Sequence, residues 1–118
     1  MKRGEVYLCR LEQRGDTGDA GHEHLIQVVV LTRDAINQHA PVVLVAPVVD
    51  GRQVPHPYPS DVLVKAPEGG LTVDGFVLTM QLRAMPRSRL NHRLGTLGVG
   101  ALTEVDRALR ITLDLEEE

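Results

Sequence analysis

The stretches Ile26-Gln27-Val28-Val29-Val30-Leu31 and Val42-Val43-Leu44-Val45-Ala46-Pro47-Val48-Val49 decide the fold class. Both are dense in β-branched side chains, which fit a pleated surface better than a helix, and both are short. An apolar run without polar alternation reads as a strand covered on both faces, so these two segments predict the centre of a β-barrel. Pro47 has no N–H to give to a ladder. It therefore predicts an edge, a bulge or a strand exit, with a bend in the chain at that point.

Working outward, further β-like segments are expected at 5–11, 25–32, 42–49, 61–65, 75–79 and, more weakly, 94–97, separated by Gly, Pro, Asp and Asn. The one long helix is expected at the end of the chain. There Val105, Leu109 and Leu113 recur at four-residue spacing, with Ala108 and Thr112 on the same side. Thr103 is its expected N-cap, with Asp106 three positions on as a short version of the capping box. A brief helical turn is expected after Pro86, through Arg87-Ser88-Arg89-Leu90. Two long loops remain, 12–24 and 50–60, and each reads equally as functional or as plain connection. The second carries Pro55, Pro57 and Pro59.

At 118 residues and 13.0 kDa the chain predicts one domain, 1–118, with one core. Its 42% apolar and 25% charged residues are those of a folded protein rather than a disordered one. No apolar run approaches the roughly 20 residues of a membrane span, and Glu5, Arg10 and Glu12 interrupt any export signal. A cytoplasmic location is expected. The single cysteine, Cys9, falls in an alternating segment and is expected to pack in or beside a strand rather than react. A net charge of −3 argues mildly against bulk electrostatic attraction to nucleic acid. Distribution matters more than the sum: Arg83, Arg87, Arg89 and Arg93 crowd one segment while Glu116, Glu117 and Glu118 close the chain. Phe76, Tyr7 and Tyr58 are the whole aromatic supply, which argues against a stacking platform for bases.

Seven motifs follow one another along the chain: Lys2-Arg3-Gly4-Glu5-Val6-Tyr7-Leu8, Asp34-Ala35-Ile36-Asn37, Pro41 through Pro47-Val48, and Gly70-Leu71 with Asp74-Gly75-Phe76-Val77-Leu78. Gln81-Leu82-Arg83, Ser88-Arg89-Leu90 through Arg93-Leu94-Gly95, and Glu104-Val105-Asp106-Arg107-Ala108-Leu109 complete the series. In this order they resemble the MazF/PemK toxins, RNA-cutting halves of bacterial toxin–antitoxin pairs. The resemblance implies a mainly β fold with a C-terminal helix, an SH3-like, partly open β-barrel of the MazF/PemK/CcdB type. It further implies a homodimer, single-stranded RNA as substrate, no cofactor, and an antitoxin whose acidic, extended tail occupies the RNA groove. The CcdB alternative, action on a protein target, is the weakest, because the C-terminal residues do not resemble that group.

Cleavage by the RNA's own 2′-OH needs a base, a cation for the charge that builds on phosphorus, and an acid for the leaving oxygen. The family draws these mainly from an Arg-Pro pair and a Thr or Ser, and aligned on the strands those positions fall on Ile26-Gln27 and Val49-Asp50. An occasional acidic residue falls on Met80. What remains is Gly21-His22-Glu23-His24, similar to a Gly-His-Glu that some members carry. His22 or His24 would act as base or acid with Glu23 orienting it, or the three are incidental residues of an exposed loop; a metal site is the least supported reading. Thr79, Gln81 and Arg83 are expected to share one strand face, and with Arg87 and Arg89 to hold RNA phosphates. An ion-pair cluster on a solvated or dimer face is the alternative. The functions that follow are an endoribonuclease toxin or a catalytically impaired relative that binds RNA or antitoxin.

Overall fold

A computed structural model of the chain describes residues 1–12 and 23–115, with the side chains of Glu12, Glu23 and His24 outside that description. The strands are β1 (Glu5–Glu12), β2 (Glu23–Val30), β3 (Val42–Asp50), β4 (Asp61–Val64), β5 (Gly75–Leu78), β6 (Arg83–Pro86) and β7 (Leu90–Thr96). A four-residue helix α1 (Asp34–Asn37) joins β2 to β3, and the long helix α2 (Val99–Leu113) ends the fold. All pairings are antiparallel, in the order β4-β5-β3-β2-β1-β7, with β6 also on β3. The end strands β4 and β7 do not pair with each other. The sheet is mainly β with a C-terminal helix, as expected, and it does not close into a barrel.

β2 is covered on both faces as its sequence requires. Val29 and Leu31 join Val6, Ala46, Val48, Val62, Val64 and Val77 in one cluster, which Val105 and Ala108 of α2 complete. Val28 and Val30 point the other way, into a second cluster with Cys9, Val43, Val45, Met85 and Leu90. Burying an aliphatic side chain of this size stabilises by about 1.5–3 kcal/mol, so the two clusters together account for the sheet's place at the centre of the fold.

β3 departs from its expected environment in its first half. Val42 and Leu44 are 45% and 42% exposed, while Ala46 and Val48, on the same side by strand alternation, are buried. Val105 and Ala108 of the helix share a buried cluster with Ala46 and Val48, and Val42 and Leu44 lie outside it. Pro47 is neither an exit nor an end, because β3 runs on to Asp50. On one edge β3 pairs with β2; on the other, β6 takes residues 42–45 and β5 takes residues 48–50. Pro47 thus sits at the changeover, beside positions where that second edge has no paired residue.

Other boundaries shifted for identifiable reasons. The first hairpin is longer than expected, with Glu12 opposite Glu23 and Leu11 opposite His24. β7 starts at Leu90 because pairing with β1 holds Asn91, His92 and Arg93 in extended form despite their polarity. α2 begins at Val99, so Thr103 lies inside it and donates to the Val99 carbonyl at 2.8 Å instead of capping. Gly98 takes the cap position, and its N–H is met by the Glu68 carboxylate at 2.8 Å. Leu113 is half exposed, so the buried stripe stops short of it. The turn after Pro86 forms over Arg87–Arg89 as expected, and Cys9 is buried in β1.

The turn Glu68–Gly70 lies backbone to backbone against β7. Gly69 and Gly70 have φ of 67° and 77°, and a Cβ on Gly70 would stand 2.0 Å from the Leu94 carbonyl oxygen. Gly70→Ala should therefore cost about 3 kcal/mol or more, from strain and clash together. Gly100, in the first turn of α2, has nothing within 4 Å of such a Cβ. Gly100→Ala should instead gain up to about 1 kcal/mol of helix propensity. Urea unfolding of the two variants reads the contrast.

Candidate functional site

An open groove of about 680 Å³ runs across β1, β2 and β3. Ile26 and Val49, with Leu8, Leu11 and Leu25, make its floor largely apolar; Gln27, Asp50, Gln53, Gln81 and Arg83 supply its polar groups. Fold geometry explains this assembly. β2 and β3 pair at Gln27 and Val48, which brings Ile26-Gln27 beside Val49-Asp50, and the β5-to-β6 turn brings Gln81 and Arg83 to the same opening.

That turn, a 3-10 turn over Thr79–Gln81, corrects the expected strand face. Thr79 is fully buried: its Oγ1 donates to the Ser60 carbonyl at 2.6 Å and lies 3.0 Å from the Thr112 hydroxyl. It anchors the turn and offers nothing to a ligand. Gln81 is exposed and Arg83 opens β6, so the groove receives them from successive elements rather than from one alternating strand. Strand alternation failed here because the chain has to step from the β5 half of the β3 edge to the β6 half.

The arginines separate by partner. Arg93 pairs with Glu5 at 2.8 Å, whereas Arg87 and Arg89 donate to the carbonyls of Ala40 and Arg10 at 3.2 and 3.3 Å. A carbonyl partner orients a guanidinium without neutralising it. Arg83 has no hydrogen-bonding or ionic partner among the described residues. An internal ion-pair cluster is therefore confined to Arg93, and Arg83, Arg87 and Arg89 face no carboxylate among the described residues. Burial pushes the Cys9 thiol above its ordinary pKa, while Arg83 and Arg89 pull it the other way. Burial alone would raise Glu5, but Arg93, the Lys2 amide and the Tyr7 hydroxyl outweigh it and hold the carboxylate below its usual range. This network ties β1 to β7.

Asp50 was visible only as a replacement, and Gln53 was not singled out at all. The Asp50-Gly51-Arg52 sequence carried the local signal, since an Asp commonly accepts the N–H two residues on. Here the Asp50 carboxylate accepts from the Arg52 amide at 2.9 Å and from its guanidinium at 2.6 Å. Those bonds to Arg52 hold its pKa at about 2. So acidic a group is fully ionised near neutrality and is a poor proton acceptor.

His22 lies outside the described residues. The backbone of Glu23 and His24 opens β2, and their side chains lie outside the description.

Residues 2–113 match the family of PemK-like, MazF-like toxins of type II toxin–antitoxin systems. The chain belongs to this toxin family. It is 31% identical over 115 residues to endoribonuclease MazF of Staphylococcus epidermidis, covering 98% of this chain and 92% of that protein. Solved structures agree on the fold. An endoribonuclease in complex with its cognate antitoxin from Mycobacterial species superposes with a TM-score of 0.78 at 20% identity, over 100% of this chain and 99% of that one. A MazE–MazF complex from Deinococcus radiodurans gives 0.79 at 22% identity, over 98% and 97%. Within this MazF-like fold the groove is lined by Ile26 and Val49.

The Asp50–Arg52 pair gives a pH test. A depressed folded pKa contributes stability above the unfolded value, near 3.8, and that contribution is lost as pH falls toward about 2. Arg52→Ala should return the Asp50 titration toward 3.8 and flatten the acid limb of the stability profile. Carboxyl carbon NMR titration of the two proteins checks it.

Proposed function

We propose that this MazF-like toxin binds single-stranded RNA in the groove and cleaves it as an endoribonuclease, restrained by an antitoxin with an acidic, extended tail. The observation that carries the reading is Arg83, a guanidinium without a protein partner among the described residues, set beside Gln81 in the groove. Guanidinium forks match phosphate oxygens, and the flanking amides of Gln27, Gln53 and Gln81 suit base edges and sugar hydroxyls. The restraining partner follows from the same charge, since an acidic tail competes for the cations that hold RNA. MazF relatives solved with their antitoxins support that partner class.

In this scheme the substrate's 2′-OH attacks its adjacent phosphorus and the 5′-oxygen of the next nucleotide leaves. Arg83 stabilises the charge on the phosphoryl oxygens. His22 or His24 takes the proton from the 2′-OH and the other returns one to the leaving oxygen, with Glu23 orienting the imidazole. Arg87 and Arg89 hold flanking phosphates, and Thr79 acts only by fixing the turn that carries Gln81. Val42 and Leu44 on β3, opposite Pro86 and Ala84 on β6, form an exposed apolar patch of the kind a homodimer covers. The proposed site of action is the cytoplasm; among the described residues no helix is long and apolar enough to cross a membrane.

The floor of the groove favours a second reading, binding of RNA or antitoxin without cleavage. Ile26 cannot donate to a phosphate and Val49 cannot supply a hydroxyl. A cleavage assay on a long single-stranded RNA separates the two. The parent should cut, and the double variant His22→Ala, His24→Ala should cut at least about a hundredfold more slowly, the low end of acid–base assistance. An unchanged rate removes the histidines from the mechanism. Binding without cleavage by the parent, with activity appearing in Ile26→Arg, Val49→Thr, establishes the impaired relative. In either case Arg83→Gln should weaken binding and lower the salt-dependence slope by about 0.7, the value for one phosphate contact on a single strand.

A further inference from the structure

A second cavity of about 490 Å³ opens beside the groove and shares Gln81 with it. Val54, Tyr58, Leu78 and Met80 line it, together with Ser60 and Asp61. We propose that this cavity receives one unstacked base of the bound strand, laid on the Tyr58 ring, and that Tyr58, Met80 and Gln81 fix the base preference at that position. The inference rests on the RNA reading above and adds a subsite to it.

Tyr58 and Met80 are 73% and 68% exposed, two large side chains left in water that line one cavity. Isolated exposure of this kind is common on protein surfaces; convergence on a concave site is not. The backbone that carries the ring is also held in place. The Tyr58 amide donates to the Asp61 carboxylate at 2.9 Å, and the Asp61 amide donates back to the Tyr58 carbonyl at 2.9 Å. Pro55, Pro57 and Pro59 restrict the backbone on either side. With the backbone fixed, only the side-chain torsions of Tyr58 remain to be ordered when a base stacks on the ring. One ring makes no platform, but it is enough for one base, each of which has a π-face whatever its sequence.

Charge selects among occupants. Among the described residues, Asp61 is the charged member of the lining and no cation stands in it. A phosphate or the carboxylates of an acidic tail would meet repulsion there without a counter-charge. A neutral base meets none, and its amino or imino N–H groups can donate to the Asp61 oxygen that Tyr58 leaves free. Arg83, two residues beyond the shared Gln81, remains in the groove for the phosphate of the same strand. The placement of Gln81 at the junction lets its amide read the base edge as the strand turns from groove to cavity.

The test uses the full chain and single-stranded RNA oligonucleotides selected by it from a random pool, each then resynthesised with one abasic site at successive positions. For the parent, one abasic position should weaken binding roughly tenfold, the scale of a single base–aromatic stack. Tyr58→Ala should lose that penalty at that position alone and relax the selected sequence there, while Tyr58→Phe retains both. The exposure of Tyr58 leaves the fold independent of its ring, and Tyr58→Leu, which keeps apolar volume without stacking, repeats the test. If Tyr58→Ala and Tyr58→Leu keep the parent's affinity and every abasic penalty, the cavity holds no base, while RNA binding itself stands. If Tyr58→Ala instead weakens a synthetic Glu-rich peptide bearing one leucine and leaves RNA unaffected, the cavity belongs to a protein partner and the proposal is overturned. Failure of the parent to select any RNA removes both the subsite and the RNA reading on which it rests.

Discussion

The buried hydroxyl of Thr79 joins three separate parts of the fold, and the candidate site hangs from that junction. Its oxygen donates to the carbonyl of Ser60, at the entry to β4, and meets the hydroxyl of Thr112 near the end of α2. The Thr79 amide adds a second bond to the same Ser60 carbonyl at 3.3 Å. The turn that follows must therefore leave β5 at a fixed place and deliver the chain to β6. Leaving a buried polar group without its partner costs about 1–3 kcal/mol, so the junction has little freedom to drift. Gln81 and Arg83 gain their positions from it.

The turn is needed because one edge of β3 serves two partners. β6 uses its first half and β5 its second, with Pro47 at the interval between them. A residue without an N–H is tolerated there, where a continuous partner strand would have required one. The two-part edge also produces the unequal burial of β3. In the β5 half, Ala46 and Val48 join the buried cluster that Val105 and Ala108 of α2 complete, and the outer side of the β6 half stays open as the apolar patch of Val42, Leu44, Ala84 and Pro86. Groove, cavity and patch are all consequences of how β3 divides its edge.

Electrostatics then distinguish the arginines that share a segment of sequence. Glu5 is buried and needs a counter-charge, and Arg93 supplies it; a buried carboxylate left alone would be costly. Arg87 and Arg89 are oriented by carbonyls and keep their net charge. Arg83 is the one placed in the groove. Asp50, also in the groove, is neutralised in part by Arg52, which reduces its repulsion toward a polyanion while keeping the carboxylate ionised.

By itself the sequence determined the β class, the two-sided burial of Val28–Val30, the terminal helix, the turn after Pro86 and, through ordered motifs, the toxin family. These depend on local pattern: β-branched density, helical spacing and the restrictions of proline and glycine are properties of neighbours in the chain. It also located Ile26, Val49, Gln81 and Arg83 as positions of interest. Only the tertiary structure decided that they line one groove, since their meeting depends on strand register over long sequence separations. It alone separated Thr79 from Gln81, because an alternating pattern and a three-residue turn look alike in one dimension. The cap at Gly98 was equally hidden: its partner, Glu68, lies thirty residues away. Tyr58 looked like one isolated aromatic residue in a proline-rich loop. Its cavity exists because the fold sets that loop against Leu78 and Met80.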